Sequence, residues 1–264
     1  MCGLAGVILG GKPRTGRELN RLAGIFTRLL IASEARGPHA TGAAWVNTDG
    51  EYGLFKQPMP ASRFVKRPEY ARLLAGMDAR VTVLMGHARW RTCGDERNDA
   101  NNHPILAGDV FGTHNGTILN ADDLFRRLRY RREAEVDSEI LCRIVNGATR
   151  SGSLDVSYLR QRLALCRGQM AAVFASRRIP GTVLVLKGDK PLKFRCHRQR
   201  QVVLYATDGT YLDEALAGER GWLQMIVPPM TLLVFQRPNV CPPFAGTFSF
   251  TAQARVKKPQ ETEQ

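Results

Sequence analysis

Along the chain the apolar positions switch between a helical and a strand period. Leu4 to Leu9 is a continuous apolar run that reads as a buried strand, and Gly10-Gly11-Lys12-Pro13 turns the chain after it. Thr15-x-x-Glu18 is a capping box, and apolar residues then recur at Leu19, Leu22, Ala23, Phe26, Leu29 and Leu30, one face of a helix that ends before Gly37-Pro38. Ala43–Val46 and Tyr52–Phe55 form a hairpin around Asn47-Thr48-Asp49-Gly50. Residues 62–77 are helical with a break at Pro68, and the β-branched run Val81–Met85 is a buried strand that delivers Gly86-His87-Ala88-Arg89-Trp90 to its end.

A polar loop from Arg91 to Pro104 follows, then a strand from Asp109 that an Asn115-Gly116 turn is expected to close. Asn120-x-x-Asp123 opens a helix carrying Leu124 and Leu128, and a second helix from near Asp137 buries Ile140, Leu141, Ile144 and Val145. After a helix at Tyr158–Cys166 come closely spaced strands at Met170–Ala175, Thr182–Lys187, Leu192–Cys196, Val202–Ala206 and Leu232–Phe235. Short links such as Pro180-Gly181 favour antiparallel pairing over crossovers. The pattern predicts one α+β domain over residues 2–251 and a polar, disordered C-terminal tail over 252–264.

With 264 residues, 44% of them apolar, the chain can bury a sizeable core without disulfides. Its six cysteines are scattered and form no CxxC pair, which suggests neither a disulfide framework nor a zinc ribbon and favours a reducing, cytoplasmic setting. No Cys/His spacing points to a metal; Cys196 and His197 are neighbours and in a strand face opposite ways. No export signal or membrane-spanning stretch is found. A formal charge of +14 favours acidic partners. Nucleic acid is allowed by that charge but not favoured, since no RRM, zinc-finger or basic-zipper pattern accompanies it. Arg126-Arg127-x-Arg129-x-Arg131-Arg132 reads first as a solvated face and second as a dock for an acidic partner.

The candidate chemistry starts at Cys2. Removal of Met1 would place an α-amine and a thiol on one residue, a nucleophile beside its own base, with Gly3 allowing close approach to a substrate. Cys2 alone is weak evidence, because an apolar N-terminal strand can hold a cysteine by chance. The further segments Arg36–Gly42, Gly86–Gly94, Asn102-His103-Pro104, His114–Ile118 and Asp137-Ser138-Glu139 join it, and together they resemble, in order and spacing, the class II glutamine amidotransferase domain of the N-terminal-nucleophile hydrolases. The resemblance runs more weakly through Gly168-Gln169-Met170-Ala171, Gly188-Asp189-Lys190-Pro191-Leu192 and Ala206-Thr207-Asp208 to about Phe235.

That resemblance implies a four-layer αββα sandwich, two mainly antiparallel sheets between helix layers, with Cys2 at the end of a central strand. It assigns Cys2 as nucleophile, its α-amine as base, and Asn115 with the Gly116 N–H as oxyanion hole. Arg89, helped by Thr92, would hold the α-carboxylate of L-glutamine, Asp137 the α-ammonium, and Trp90 would wall the pocket. These residue types suit those tasks. No cofactor or metal is implied, and the expected partner is a separate ammonia-accepting synthetase subunit, since the chain stops where related enzymes begin one. Each residue also has an ordinary reading: Arg89 as an ion pair at the core edge, Asn115-Gly116 as a hairpin turn, Asp137 as a helix cap. His87, His103 and His114 are read as structural, and Cys93 as a small buried residue. His39 and Arg91 depart from the family pattern, where an Asp and a small residue are common. The alternatives are an N-terminal-nucleophile amidase for another amide and a catalytically silent basic binding module.

Overall fold

The computed structural model describes residues 2–253. Strand β1 (Gly3–Leu9) precedes helix α1 (Gly16–Ser33), the hairpin β2 (Ala40–Asn47) and β3 (Tyr52–Gln57), two short helices α2 (Ala61–Phe64) and α3 (Pro68–Ala75), and β4 (Val81–Arg89). β5 (Ile105–Ala107) and β6 (Val110–Ile118) lead to α4 (Ala121–Leu128), α5 (Glu139–Ala148) and α6 (Val156–Leu163). β7 (Arg167–Ser176), β8 (Thr182–Lys187), β9 (Lys193–His197) and β10 (Val202–Ala206) follow. The chain closes with α7 (Gly209–Ala215), β11 (Leu223–Met225), β12 (Thr231–Gln236), β13 (Phe244–Thr247) and β14 (Thr251–Ala252).

Two sheets form. Sheet A runs β11-β9-β10-β1-β4-β2-β3; sheet B runs β13-β12-β8-β7-β6-β5, with β14 added to β7. Pairing is antiparallel throughout except β14 on β7. The period-2 alternation divides the side chains of each strand between two cores. Leu4, Ile8, Val83, Met85, Phe111, Ala171 and Tyr205 pack between the sheets. Ala5, Val7 and Leu84 point the other way, onto Leu22, Phe26 and Leu29 of α1, while Val110 and Phe174 meet Leu124, Ile140 and Leu141 of α4 and α5. The result is the αββα sandwich. Helix α1 begins as the capping box requires, with Thr15 accepting from the Glu18 N–H and Glu18 from the Thr15 N–H.

β1 lies in the middle of sheet A, Gly3 opposite Ala88 of β4 and Ala5 opposite Ala206 of β10. Its glycines are needed for packing: a Cβ on Gly3 would lie 2.7 Å from the Ser33 carbonyl, and one on Gly6 2.2 Å from the Tyr205 ring.

One local expectation is corrected. Asn115-Gly116 does not close a hairpin; β6 runs straight through it to Ile118, Gly116 pairing with Met170 at φ 148°. Asn120 opens α4 as expected, but its side chain makes no cap bond; it donates to the Leu165 carbonyl and accepts from the Arg167 N–H, tying α4 to β7. The arginine cluster is solvated, as first read, with α4 ending at Leu128 and Arg129 left-handed; Arg126 pairs with Asp123, Arg132 with Asp122 and Arg131 with Glu133. Of the expected tail, Ala252 is held in β14 and the Gln253 N–H donates to Gly168; residues 254–264 lie outside the described residues.

Candidate active site

The site lies where β1 begins and β4 ends in sheet A, with β6 of sheet B facing them. Leu4 and Ile8 face the inter-sheet core, so alternation turns Cys2 the same way; Val83 and Met85 do so on β4, which puts His87 and Arg89 on that face. On β6, Asn115 stands opposite Ala171, also of the inter-sheet core. Three strands thus present Cys2, Arg89 and Asn115 to one space.

The start of β1 is pinned. The Leu4 N–H donates to Thr207 Oγ1 at 2.7 Å, and Arg36 Nε donates to the Cys2 carbonyl at 3.1 Å. The Trp90 N–H donates to Cys2 Sγ at 3.3 Å. Burial pushes the Cys2 thiol up from its ordinary value and Asp137 adds to this, while the Trp90 N–H and the Arg89 charge act against it. Cys2 therefore rests as a thiol within the electrostatic reach of both proposed clamps.

Asn115 is buried, and its Nδ2 has no hydrogen-bond partner. Buried amides are normally satisfied, so this one leaves a hydrogen-bond donor open in the interior. Gly116 must be glycine, since a Cβ would meet the Gln169 carbonyl at 1.9 Å. Asp137 accepts from the Ile118 N–H at 2.5 Å through one oxygen.

Arg89 is buried and turned inward. Nη1 donates to Asn102 Oδ1 at 2.7 Å, and Nη2 donates to the carbonyls of Cys93 and Gly94 at 2.5 and 3.0 Å, so three of its five N–H groups are engaged. Trp90 and Thr92 stand on the exposed rim of the loop that follows. Cys93 is exposed there too, not buried as expected, because the loop uses its carbonyl rather than its side chain. The two departures from the family pattern pack together: the Arg91 N–H donates to His39 Nδ1 at 3.0 Å, and the His39 ring meets Trp90 edge-on at 5.0 Å.

The histidines form the floor. His87 Nε2 donates to the His114 carbonyl at 3.1 Å, and His87 stacks on His103 at 4.2 Å. His114 bonds through Nδ1 to Ser138 Oγ, next to Asp137, and through Nε2 to the Gln169 carbonyl. Burial holds His87 down to about 3 and His103 well below its ordinary value, so both are neutral. Among the described residues no group of three or more His, Cys, Asp or Glu side chains could hold a metal.

No family model matches the chain. It is similar to the glutamine--fructose-6-phosphate aminotransferase (isomerizing) of Aliivibrio fischeri, 25% identical over 199 residues that cover 74% of this chain and 30% of that protein. The enzyme of the same name from Photorhabdus laumondii is 27% identical over 199 residues, 73% of this chain and 29% of that protein. In fold it resembles glutamine phosphoribosylpyrophosphate amidotransferase from B. subtilis, with a TM-score of 0.68 at 18% identity over 94% of this chain and 49% of that one. In sequence and in fold the chain is thus similar to class II glutamine amidotransferase domains. It spans less than a third of the length of these curated relatives.

Sequence reasoning left three positioning groups without a role. Asn102 holds Arg89, Arg36 holds the Cys2 carbonyl, and Ser138 holds the His114 ring. All three stand in the segments that carried the resemblance. Their partners are 13 to 34 residues away, so no local spacing announces them.

Proposed function

We propose that this domain hydrolyses the side-chain amide of L-glutamine to glutamate and ammonia. The observation that carries the proposal is the unpartnered Asn115 amide on the face and at the end of the sandwich where Cys2 is held. With Met1 removed, the α-amine of Cys2 takes the thiol proton as sulfur attacks the amide carbon. Asn115 Nδ2 and the Gly116 N–H stabilise the oxyanion. The resulting ammonium returns its proton to the leaving nitrogen and ammonia departs, leaving a γ-glutamyl thioester. Water adds to the thioester as the amine accepts its proton, glutamate leaves and the thiol is restored. Asp137, with one carboxylate oxygen beyond its bond to Ile118, is the proposed partner of the substrate ammonium. Arg89, with Trp90 and Thr92 at the rim, is the proposed partner of its carboxylate.

The curated relatives are glutamine-dependent aminotransferases of more than three times the matched length. By analogy the ammonia passes to an acceptor-converting synthetase unit, linked or separate. No helix among the described residues is long and apolar enough to cross a membrane, and the six free cysteines support our reading of a reducing, cytoplasmic setting. A second reading, an amidase for another amide, is favoured by one observation: Arg89 is already engaged by the Cys93 and Gly94 carbonyls, so a glutamine carboxylate must displace them. The test is glutamate release from L-glutamine by the purified chain, with its N-terminal mass read in parallel. Turnover with mass beginning at Cys2 is expected; full turnover by protein whose Cys2 nitrogen is blocked overturns the mechanism.

A further inference from the structure

Lys56, on the edge strand β3, turns into the sandwich rather than away from it. It pairs with Gly42 of β2, and Gly42 pairs with His87 of β4, so the three share one row of sheet A. In the next row but one, Leu54, Ala44 and Met85 pack into the space between the sheets, and alternation sends Lys56, Gly42 and His87 the same way. Arg89 follows His87 on that face of β4. Gly42 makes room for the lysine: a Cβ there would lie 3.0 Å from Lys56 Cγ and 2.0 Å from the His103 carbonyl oxygen. The Lys56 stem leans over β2 and brings its ammonium to the loop before β5. There Nζ donates to the Asp99 carbonyl and, at 3.1 Å, to the Asn102 carbonyl. Burial pulls this ammonium down to about 8, with the Asp99 charge acting the other way. The other titratable group that it faces is His103, which is neutral, and Gly42 across the strand pair brings none.

We propose that Lys56 is a positioning residue for the carboxylate end of the glutamine site: it holds the backbone of Asp99 and Asn102, and thereby fixes the oxygen toward which the Arg89 guanidinium is aimed. The proposal deepens the glutaminase reading and rests on Arg89 as the carboxylate partner. The connection is short and every link is a hydrogen bond. Lys56 fixes the main chain of Asn102; Asn102 Nδ2 donates to the Glu96 carbonyl at 2.6 Å, which sets the side-chain amide; and Asn102 Oδ1 accepts from Arg89 Nη1 at 2.7 Å. Both oxygens that Lys56 binds belong to the main chain, so its charge serves the course of the loop and not a neighbouring carboxylate. A charged donor makes the stronger bond to a carbonyl, and an amine that has lost its proton keeps two N–H groups of three and no charge. The hold on Asn102 is therefore firm below the point at which Lys56 loses its proton and slackens above it.

The test is steady-state kinetics of glutamine hydrolysis by the wild-type chain, Lys56→Met and Lys56→Arg from pH 7 to pH 9, with hydrogen exchange of residues 91–103 followed by mass spectrometry at pH 7. At pH 7 Lys56→Met should raise KM about 10-fold and leave kcat within about 2-fold, and Lys56→Arg, which keeps the cation, should recover most of that loss. As pH rises through about 8, wild-type KM should climb toward that of Lys56→Met until the gap between them closes. Changes in the substrate's own ionisation act on both proteins alike and leave the gap untouched. A lysine that only supported the fold would cost stability without this convergence. The loop should also exchange about 10-fold faster in Lys56→Met. Equal KM values at pH 7, or a gap that stays constant to pH 9, overturn the proposal. A wild-type chain that releases no glutamate defeats the glutaminase reading instead, and the exchange rates then decide alone: unchanged exchange in Lys56→Met overturns the hold of Lys56 on the loop.

Discussion

His87 reaches out of sheet A and donates to the main-chain oxygen of His114 in sheet B, one residue before Asn115. Through this bond the strand that carries Arg89 sets the height of the strand that carries the proposed oxyanion donor. His87→Leu should therefore lower kcat for glutamine by about 10-fold with a smaller change in KM, because it displaces the donor rather than the substrate. It also leaves a buried carbonyl without a partner, at about 1–3 kcal/mol of stability by denaturant titration. An unchanged kcat would remove His87 from any positioning role.

Asn115→Ala is expected to lower kcat by about 10²–10³. Its stability cost should be small for so buried a polar residue, because the amide nitrogen that it deletes bonds to nothing in the resting protein. Steady-state kinetics beside a melting curve separates the two effects, and a large loss of stability with normal turnover would contradict both.

Asn102→Ala frees Arg89 Nη1 without altering the guanidinium. The expected result is a rise of several-fold in KM for glutamine with kcat little changed, whereas Arg89→Lys, which loses the planar fork, should weaken binding more. Equal KM values for Asn102→Ala and wild type would show that Asn102 does not set the orientation of Arg89.

Gly116→Ala should fail at the level of folding. The position combines φ 148° with a Cβ site 1.9 Å from the Gln169 carbonyl, and neither β6 nor β7 can give way without breaking their ladder. Soluble protein with a wild-type melting temperature would mean that the strands are not packed as described.

Acid should destabilise the domain early. Burial depresses His87 to about 3 and His103 well below 6.5, so as pH falls below about 6.5 the unfolded chain binds protons that the folded chain refuses. The stability tied to keeping these rings neutral is complete above that pH and declines by about 1.4 kcal/mol per pH unit for each histidine as pH falls toward 3. Urea midpoints at pH 7 and pH 5 check this, and equal midpoints refute it.

The elements were legible wherever the signal was local. Thr15 and Glu18 start α1 and its apolar spacing falls on buried positions, and the strands from Val81 to Arg89 and from Thr182 to Lys187 stand where β-branched runs placed them. What failed was local inference overruled at a distance. Asn115-Gly116 has turn composition, yet pairing with β7 keeps it extended. The resemblance pointed to Arg89 as a residue of the site, but that its guanidinium is held by Cys93, Gly94 and Asn102 depends on a loop conformation that composition does not encode.

The strand that leads from Cys2 is paired on one side by β4 and on the other by β10, whose residues come some 200 positions later. Until Val202 to Thr207 have left the ribosome, β1 has a bare edge and Leu4 lacks its Thr207 anchor. Such non-local pairing delays closure of the core. Nascent chains should therefore acquire their reactive centre almost last, so that fragments truncated before β10 release no ammonia even though they contain every residue assigned to the chemistry.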